Sequence, residues 1–204
     1  MSQADFSPAA DRNKQAILEV LRSFLPPSGS ALELASGTGQ HVAWFAQSLP
    51  DWTWQPTDAH TGGLGSISAL VSQHALRNVR PPLVLDVMSP AWLPADATFD
   101  LIYCANMLHI SPWATCGALM QGSARHLSAN GRLVTYGPYL EDDVITSEGN
   151  KAFDERLQLE NPAWGIRRKE DVVRQAAQAG LQLSARHTMP ANNLLLVWTR
   201  QGSD

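Results

Sequence analysis

Two glycines one residue apart, Gly37 and Gly39 in "LELASGTGQH" (32–41), follow an apolar run and lead into "VAWFAQSL". That is the pattern of a chain leaving a strand, turning tightly and entering a helix, which is the geometry of a nucleotide cradle. Its surroundings narrow the choice of nucleotide. A dinucleotide fingerprint requires G-x-G-x-x-G, and Val42 stands where the third glycine belongs. A phosphate loop requires Gly-Lys-Ser/Thr after the turn, and none follows. What stands instead is acidic. Glu33 lies inside the strand, Asp58 follows Gly39 by 19 residues, and Asp86 ends the next apolar run. A carboxylate at that distance, at the end of a second strand, accepts both hydroxyls of a ribose, and one at the end of a third can accept from an exocyclic amine. An adenosine without phosphates fits this set.

A second group of residues could act on whatever reacts beside it. His109 follows the run "FDLIYCANM"; an imidazole with an ordinary pKa of about 6.5 is a suitable base for a nucleophile that must lose a proton. Tyr139 is the second candidate. Arg12, Asn13 and Lys14 could fix a small anion, a carboxylate for example, through charge-assisted hydrogen bonds. Tyr136, Asn192 and Asn193 complete the expected acceptor contacts. Plainer roles stay open: Asp58 as a helix cap, Asp86 as a turn cap, Glu33 paired with a cation, His109 bound to backbone, His41 on a helix surface, and Asn192–Asn193 as the turn of a hairpin.

The elements that must position these residues alternate. Ser7 and Pro8 start a helix with Ile17, Leu18, Leu21 and Phe24 on one face, and "LPPSG" stops it. A strand over about 31–35 enters the glycine turn and a helix over about 42–49. "WTWQPTD" is a strand ending at Asp58, followed by a helix carrying Ile67, Leu70 and Val71. "PPLVLDV" reads as a third, buried strand and "FDLIYCANM" as a fourth. "SPW" starts a helix expected to reach Leu127 and end at Asn130-Gly131, and "RLVTYGPY" is a fifth strand. A polar helix near 151–159 and one with Val172, Val173, Ala176 and Ala177 inward precede "LQLSARHTM" and "NLLLVWTR", which have no room for a crossover and must pair antiparallel. This predicts an α/β fold: a doubly wound, mostly parallel Rossmann-like sheet with an antiparallel C-terminal hairpin and helices on both faces. Ligands then bind at the carboxyl ends of the strands, where strand order reverses.

Composition bounds the rest. The chain has 204 residues, 44% of them hydrophobic, which suits one domain over 1–204 with an N-terminal helical lid over 1–28. With 15 basic against 19 acidic residues the net charge is −4, which disfavours a nucleic-acid partner. No apolar run approaches the roughly 18 residues of a bilayer span and no signal peptide is visible, so a cytoplasmic protein without membrane contact is expected, as monomer or homodimer. Cys104 and Cys116 form neither a CxxC pair nor a Cys/His ladder, so reduced thiols and no metal site are expected.

At "ELASGTG" the sequence resembles the class I S-adenosylmethionine-dependent methyltransferases, whose first motif is acidic-x-Gly-x-Gly-x-Gly; Ala35 replaces the first glycine. The strings "FSPAADRNK", "ASGTGQH", "WQPTD", "CANMLHISPW", "GRLVTYGPY", "NPAWGIR" and "MPANN", spread from Phe6 to Asn193, resemble the methyltransferase-like 26 family within that superfamily. The resemblance implies a seven-stranded methyltransferase sheet and S-adenosylmethionine as cofactor, with S-adenosylhomocysteine as product. The cofactor contacts expected are Glu33, Ala35, Ser36, Gly37, Gly39, His41, Asp58, Asp86, Val87, Asn106 and Met107. Methyl transfer to an oxygen or nitrogen of a small-molecule acceptor, a small acid among the candidates, is the expected activity. Protein or RNA methylation, and cofactor binding without catalysis, are the alternatives.

Overall fold

A computed structural model describes residues 4–202. Helix α1 (Pro8–Arg22) begins where the sequence places it: the Ser7 side chain accepts from the Ala10 N–H, Pro8 occupies the first turn, and Ile17, Leu18 and Leu21 are buried. Next come β1 (Gly29–Leu34), α2 (Gln40–Ser48), β2 (Trp52–Asp58), α3 (Thr61–Gln73), β3 (Leu83–Val84) and β4 (Phe99–Ala105). A short 3-10 turn, Leu108–Ile110, separates β4 from α4 (Ala114–His126). The chain continues through β5 (Leu127–Leu140), α5 (Glu148–Glu160), β6 (Arg167–Arg168), α6 (Lys169–Gln178), β7 (Leu181–Met189) and β8 (Asn193–Arg200). The single-domain and lid expectations include residues 1–3 and 203–204, which lie outside the described residues.

The strands form one sheet in the order β3-β2-β1-β4-β5-β8-β7, with two-residue β6 pairing off this path against β5. Neighbours from β3 to β5 are parallel, while β8 lies antiparallel to both β5 and β7. Strand alternation sorts side chains to two faces. Ala31, Leu101, Tyr103 and Val134 pack under α1, α2 and α3 with Ile17, Phe45 and Ile67. Leu32, Leu34, Ile102 and Cys104 pack under α4 and α6 with Leu119, Met120, Val172 and Ala176. Each fully buried Leu, Ile or Phe contributes roughly 1.5–3 kcal/mol. Mutations on either face therefore destabilise the same sheet.

Four expectations need correction. The third strand is neither long nor buried: Leu83 and Val84 form an exposed edge pairing only with Thr57 and Asp58, and the inward residues of the apolar run, Leu85 and Val87, lie beyond it. Helix α4 starts after Trp113 rather than at a Ser111 cap. It also stops at His126 rather than at Asn130-Gly131, because β5 begins at Leu127 and Gly131 lies against Phe99 of β4, its absent Cβ only 2.7 Å from the Phe99 carbonyl oxygen. On α6, Ala177 is exposed while Val172 and Ala176 face the core.

Candidate functional site

Strand order reverses between β1 and β4, and a cleft of about 600 Å³ opens at that point above the carboxyl ends of β1, β2, β3 and β4. Ala35, Ser36 and Gly37 of the glycine turn line it, together with His41 from α2, Asp58 at the end of β2, Asp86 and Val87 after β3, and Asn106 and Met107 after β4. Nine residues separated by up to 72 positions in the chain (35 to 107) thus meet in one place. The other two expected cofactor residues do not line it. Glu33 is buried beneath the turn, and Gly39 supports it from behind.

The turn is stitched to its neighbours by hydrogen bonds. Ser36 donates its backbone N–H to the Thr57 carbonyl at 2.9 Å, its hydroxyl accepts from Thr57 N–H at 3.2 Å, and the Thr57 hydroxyl donates to the Glu33 carbonyl at 2.8 Å. Gly37 has φ +54° and its missing Cβ would meet no atom within 4 Å, so that space belongs to the cleft. Gly39 has φ +83° and its Cβ would lie 2.9 Å from the Ile67 Cα, so α3 packs where a side chain would stand. Ala35 and Asn106, ending β1 and β4, also adopt left-handed φ, +53° and +57°. Such a conformation costs a non-glycine residue about 1–2 kcal/mol, and strained residues of this kind concentrate at functional sites.

Asp58 and Asp86 both line the cleft; Asp86 also caps its turn, whereas α3 starts at His60 without a side-chain cap and Asp58 ties the glycine turn instead. Asp58 Oδ2 accepts from Gly37 N–H at 2.9 Å and Oδ1 from His60 N–H at 3.1 Å. Asp86 Oδ1 accepts from Met88 N–H at 2.9 Å. Each carboxylate keeps further lone pairs for a ligand.

Beneath and beside the cleft lies a buried polar network. His41 Nε2 and Asn13 Oδ1 are 2.6 Å apart, and the Tyr103 hydroxyl lies 3.4 Å from His41 Nδ1. The His41 ring stacks on Phe45 with centroids 5.5 Å apart. Tyr136 lies beside this network, and burial raises its pKa, with the Asn13 and Asn193 side chains opposing the rise. Burial pushes the Glu33 carboxyl up to about 8, against a partly compensating Ser36 hydrogen bond, and leaves Glu33 Oε2 without a hydrogen-bond partner. Burial, and secondarily Lys14, holds His41 down at about 4.

His109 is buried just past β4. Its ring meets Phe153 of α5 edge-on at 5.4 Å, and it occupies room left by Gly137, whose Cβ would lie 3.4 Å from His109 Nδ1 and 3.8 Å from Asn106 Oδ1. Burial, and secondarily Arg167, lowers its pKa to about 4. Its carbonyl accepts from Gly165 N–H at 3.0 Å.

None of the expected acceptor residues, Arg12, Asn13, Lys14, His109, Tyr136, Tyr139, Asn192 and Asn193, lines the cleft, and several point elsewhere. Tyr139 packs in the core under α4, its hydroxyl donates to Thr135 Oγ1 at 2.9 Å, and burial raises its pKa, so it is neither free nor basic. Arg12 is exposed and does not line the cleft. Lys14 is bound to Asp11 and sits over the Trp44 ring at 4.9 Å. The Asn192 carbonyl accepts from Asn150 Nδ2 at 3.2 Å, in a separate pocket of about 120 Å³ that Tyr139 and Asn193 also line.

Other contributors carried weak sequence signals. Gly63 reads as part of a flexible "TGG", yet its Cβ would lie 2.9 Å from the Gly37 carbonyl oxygen, so α3 approaches the turn as closely as glycine allows. Arg167 reads as one member of a charge cluster. Its guanidinium donates to the carbonyls of Leu108 at 3.0 Å, Ser111 at 2.5 Å and Ala163 at 2.8 Å, which pins the cleft wall carrying Ile110 and Pro112.

This sheet order, with one antiparallel strand inserted beside the edge, is the fold of the S-adenosylmethionine-dependent O-methyltransferases. It recurs in an O-methyltransferase family protein from Burkholderia thailandensis (17% identity, TM-score 0.78, covering 96% of this chain and 58% of that one). It recurs also in CalO1, a methyltransferase in calicheamicin biosynthesis, solved in its SAH-bound form (14%, 0.74, 92% and 54%). A third example is NcsB1, an O-methyltransferase from neocarzinostatin biosynthesis, solved with S-adenosylmethionine and 2-hydroxy-5-methyl naphthoic acid (16%, 0.76, 94% and 54%). The chain spans little more than half the length of each of these proteins. Residues 4–200 match the family described as "Protein of unknown function (DUF938)", and the chain belongs to that family. Among the described residues no helix is long and apolar enough to cross a membrane.

Proposed function

We propose that this protein is an S-adenosylmethionine-dependent methyltransferase acting on a small-molecule acceptor at oxygen or nitrogen. The observation that carries the reading is the cleft at the strand-order reversal, with Asp58 and Asp86 on its wall and the open side of Gly37 between β1 and α2. Its residues fit the cofactor on grounds of this structure. A cleft of about 600 Å³ is large enough for a nucleoside with an amino-acid tail, and the volume beside Gly37 is space that a Cβ would fill. In this reading Asp58 takes the ribose hydroxyls and Asp86 the adenine amine, with Val87, Met107 and Pro112 against the base. Ser36, Gly37 and His41 face the amino-acid tail. The bound S-adenosylmethionine supplies a methyl group already activated on a sulfonium.

The chain's own contribution is orientation and exclusion of water. Asn106, held in a left-handed conformation with its N–H on the Tyr136 carbonyl at 2.8 Å, is positioned to orient the acceptor. His109 is neutral at pH 7, because its pKa lies near 4, and so can accept a hydrogen bond from an acceptor hydroxyl or amine. That low basicity makes it a weak base, so we assign it mainly to aligning the nucleophile and only secondarily to taking its proton. Ser7 and Ala10 of the N-terminal segment line the cleft, which supports a lid role for α1. The strings from "FSPAADRNK" to "MPANN" lead us to group the chain with the methyltransferase-like 26 proteins, and a cytoplasmic monomer or homodimer is part of the same reading.

Calorimetric titration with S-adenosylmethionine, S-adenosylhomocysteine and a nicotinamide dinucleotide tests the cofactor. Binding of the first two and not the third is expected. No affinity for either sulfur nucleoside would end the proposal.

A further inference from the structure

We infer that Thr115 reads the base of the cofactor, donating its hydroxyl to one of the two ring nitrogens that flank the adenine amine. The inference rests on the methyl-transfer reading and adds to it a contact from a helix wall that neither the glycine turn nor the strand-end carboxylates supply. Thr115 stands in the first turn of α4 and is only 4% exposed, yet it lines the cleft. Its N–H donates to the Pro112 carbonyl at 2.9 Å, but among the described residues no group shares a hydrogen bond with its hydroxyl. Nor is that oxygen sealed in the core, as the unpaired Ser123 hydroxyl further along the same helix is.

The other hydroxyl residues on the cleft wall are each bound within the chain. Ser7 accepts from Ala10 N–H at 3.3 Å and Ser36 from Thr57 N–H at 3.2 Å. Thr38 donates to Gln40 Oε1 at 3.0 Å, and Ser111 to the Leu108 carbonyl at 3.4 Å. Thr115 is the exception among them. A polar group left unpaired when a ligand displaces water costs free energy, so the ligand that belongs here carries an acceptor at this wall.

The wall is the one we place against the base. Leu85, Val87 and Met107 share an apolar cluster with Cys116 and Leu119 of α4, on one face of the sheet. The helix that leaves the glycine turn packs on the other face, through Val42 and Phe45. Thr115 therefore belongs with Val87, Met107 and Pro112 rather than with Ser36, Gly37 and His41. Adenine presents an amine that donates beside ring nitrogens that accept. Asp86, an acceptor, suits the amine, and the Thr115 hydroxyl, a donor, suits the nitrogen next to it.

The test is a calorimetric cycle on the full chain, with S-adenosylhomocysteine and its 1-deaza and 7-deaza analogues, each of which replaces one ring nitrogen by C–H. Thr115→Val keeps the branched shape, removes the hydroxyl and should weaken S-adenosylhomocysteine about five- to tenfold. The parent should lose a similar factor with one of the two analogues. The variant should lose nothing further with that same analogue, because the bond at stake is already gone. Thr115→Ser, which keeps the hydroxyl, should bind within about twofold of the parent. Thr115→Ala removes the same donor and repeats the cycle if valine prevents folding. A variant without the hydroxyl that binds S-adenosylhomocysteine as tightly as the parent, or that still loses the parent's full factor with each analogue, would overturn the inference. So would a parent that binds all three nucleosides alike, a result that needs no variant. A parent with no affinity for any of them would overturn the methyl-transfer reading on which the inference rests.

Discussion

Replacing Asp58 by alanine separates two jobs that the same carboxylate performs. Its structural job is modest: Oδ2 accepts from Gly37 N–H at 2.9 Å and Oδ1 from His60 N–H at 3.1 Å, both near solvent. Water takes over exposed donors, so Asp58→Ala should cost about 1 kcal/mol of stability, a fall of roughly 2–4 °C in Tm for a chain of this size. Its proposed ligand job is larger. Two hydrogen bonds from ribose hydroxyls to a charged acceptor contribute roughly 1.5–3 kcal/mol each. Losing both should weaken S-adenosylmethionine binding by about 3–6 kcal/mol, or roughly 10²- to 10⁴-fold in Kd. Asp58→Asn, which keeps one oxygen acceptor, should fall between. Calorimetry gives the affinity and thermal melts give the stability, so the two losses are read independently. If Asp58→Ala binds within about threefold of the parent while its Tm holds, the ribose assignment fails.

Three further outcomes follow from the geometry. Gly63→Ala places a methyl 2.9 Å from the Gly37 carbonyl oxygen, a backbone atom that cannot swing aside; melts and calorimetry should show about 1–3 kcal/mol of lost stability together with weakened cofactor binding. Arg167→Lys keeps the charge but not the fork that reaches Leu108, Ser111 and Ala163. A loss of about 2 kcal/mol in urea unfolding and a reduced kcat are expected, and a fully active, equally stable lysine variant would remove Arg167 as the clamp of the cleft wall. Stability against pH should pass through a maximum near neutrality. Glu33 is raised from 4.5 to about 8, so its contribution is complete below 4.5 and is lost as pH rises through 8. His41 and His109 are lowered from 6.5 to about 4, so theirs is complete above 6.5 and is lost as pH falls through 4. Urea unfolding across this range should show Glu33→Gln flattening the alkaline limb, and a parent curve still rising at pH 8 would contradict the buried protonated carboxyl.

The part of the cleft that we assign to the cofactor was legible in the sequence because its parts are local. Glycines at a strand-to-helix turn and carboxylates at the ends of successive apolar runs need no knowledge of distant packing, and Ala35 to Gly37, Asp58 and Asp86 do meet. The acceptor end was not legible to the same degree. Whether Tyr139 faces the cleft or the core depends on strand phase near the sheet's end, and its hydroxyl is taken by Thr135, four residues earlier on the same strand. Lys14 looks free in sequence, but a helix places it one turn from Asp11. The edge strand shows the same limit: "PPLVLDV" is apolar enough for a buried strand, yet only the partners available beside β2 decide that Leu83 and Val84 are exposed. Periodicity reports which residues avoid water, not which neighbours supply the cover.

The buried network beside the cleft turns on the protonation of His41. If Asn13 Oδ1 accepts from His41 Nε2–H, then Nδ1 of the same ring is the acceptor for the Tyr103 hydroxyl, and the imidazole must be neutral. Burial, and secondarily Lys14, disfavours a second ring proton, which agrees with the neutral ring. Asn193 donates its amide to the Pro190 carbonyl at 3.1 Å. Helix α1 is held over the cleft by Ile17, Leu18 and Leu21 in the core, by the His41–Asn13 contact and by Ser7 N–H on the Gln40 side chain, and among the described residues no ion pair ties it to the elements beneath. A covering helix anchored by apolar packing and neutral hydrogen bonds is insensitive to salt. The position of α1 over the cleft thus depends on Asn13 and His41 more than on the charged residues Arg12 and Lys14 beside them.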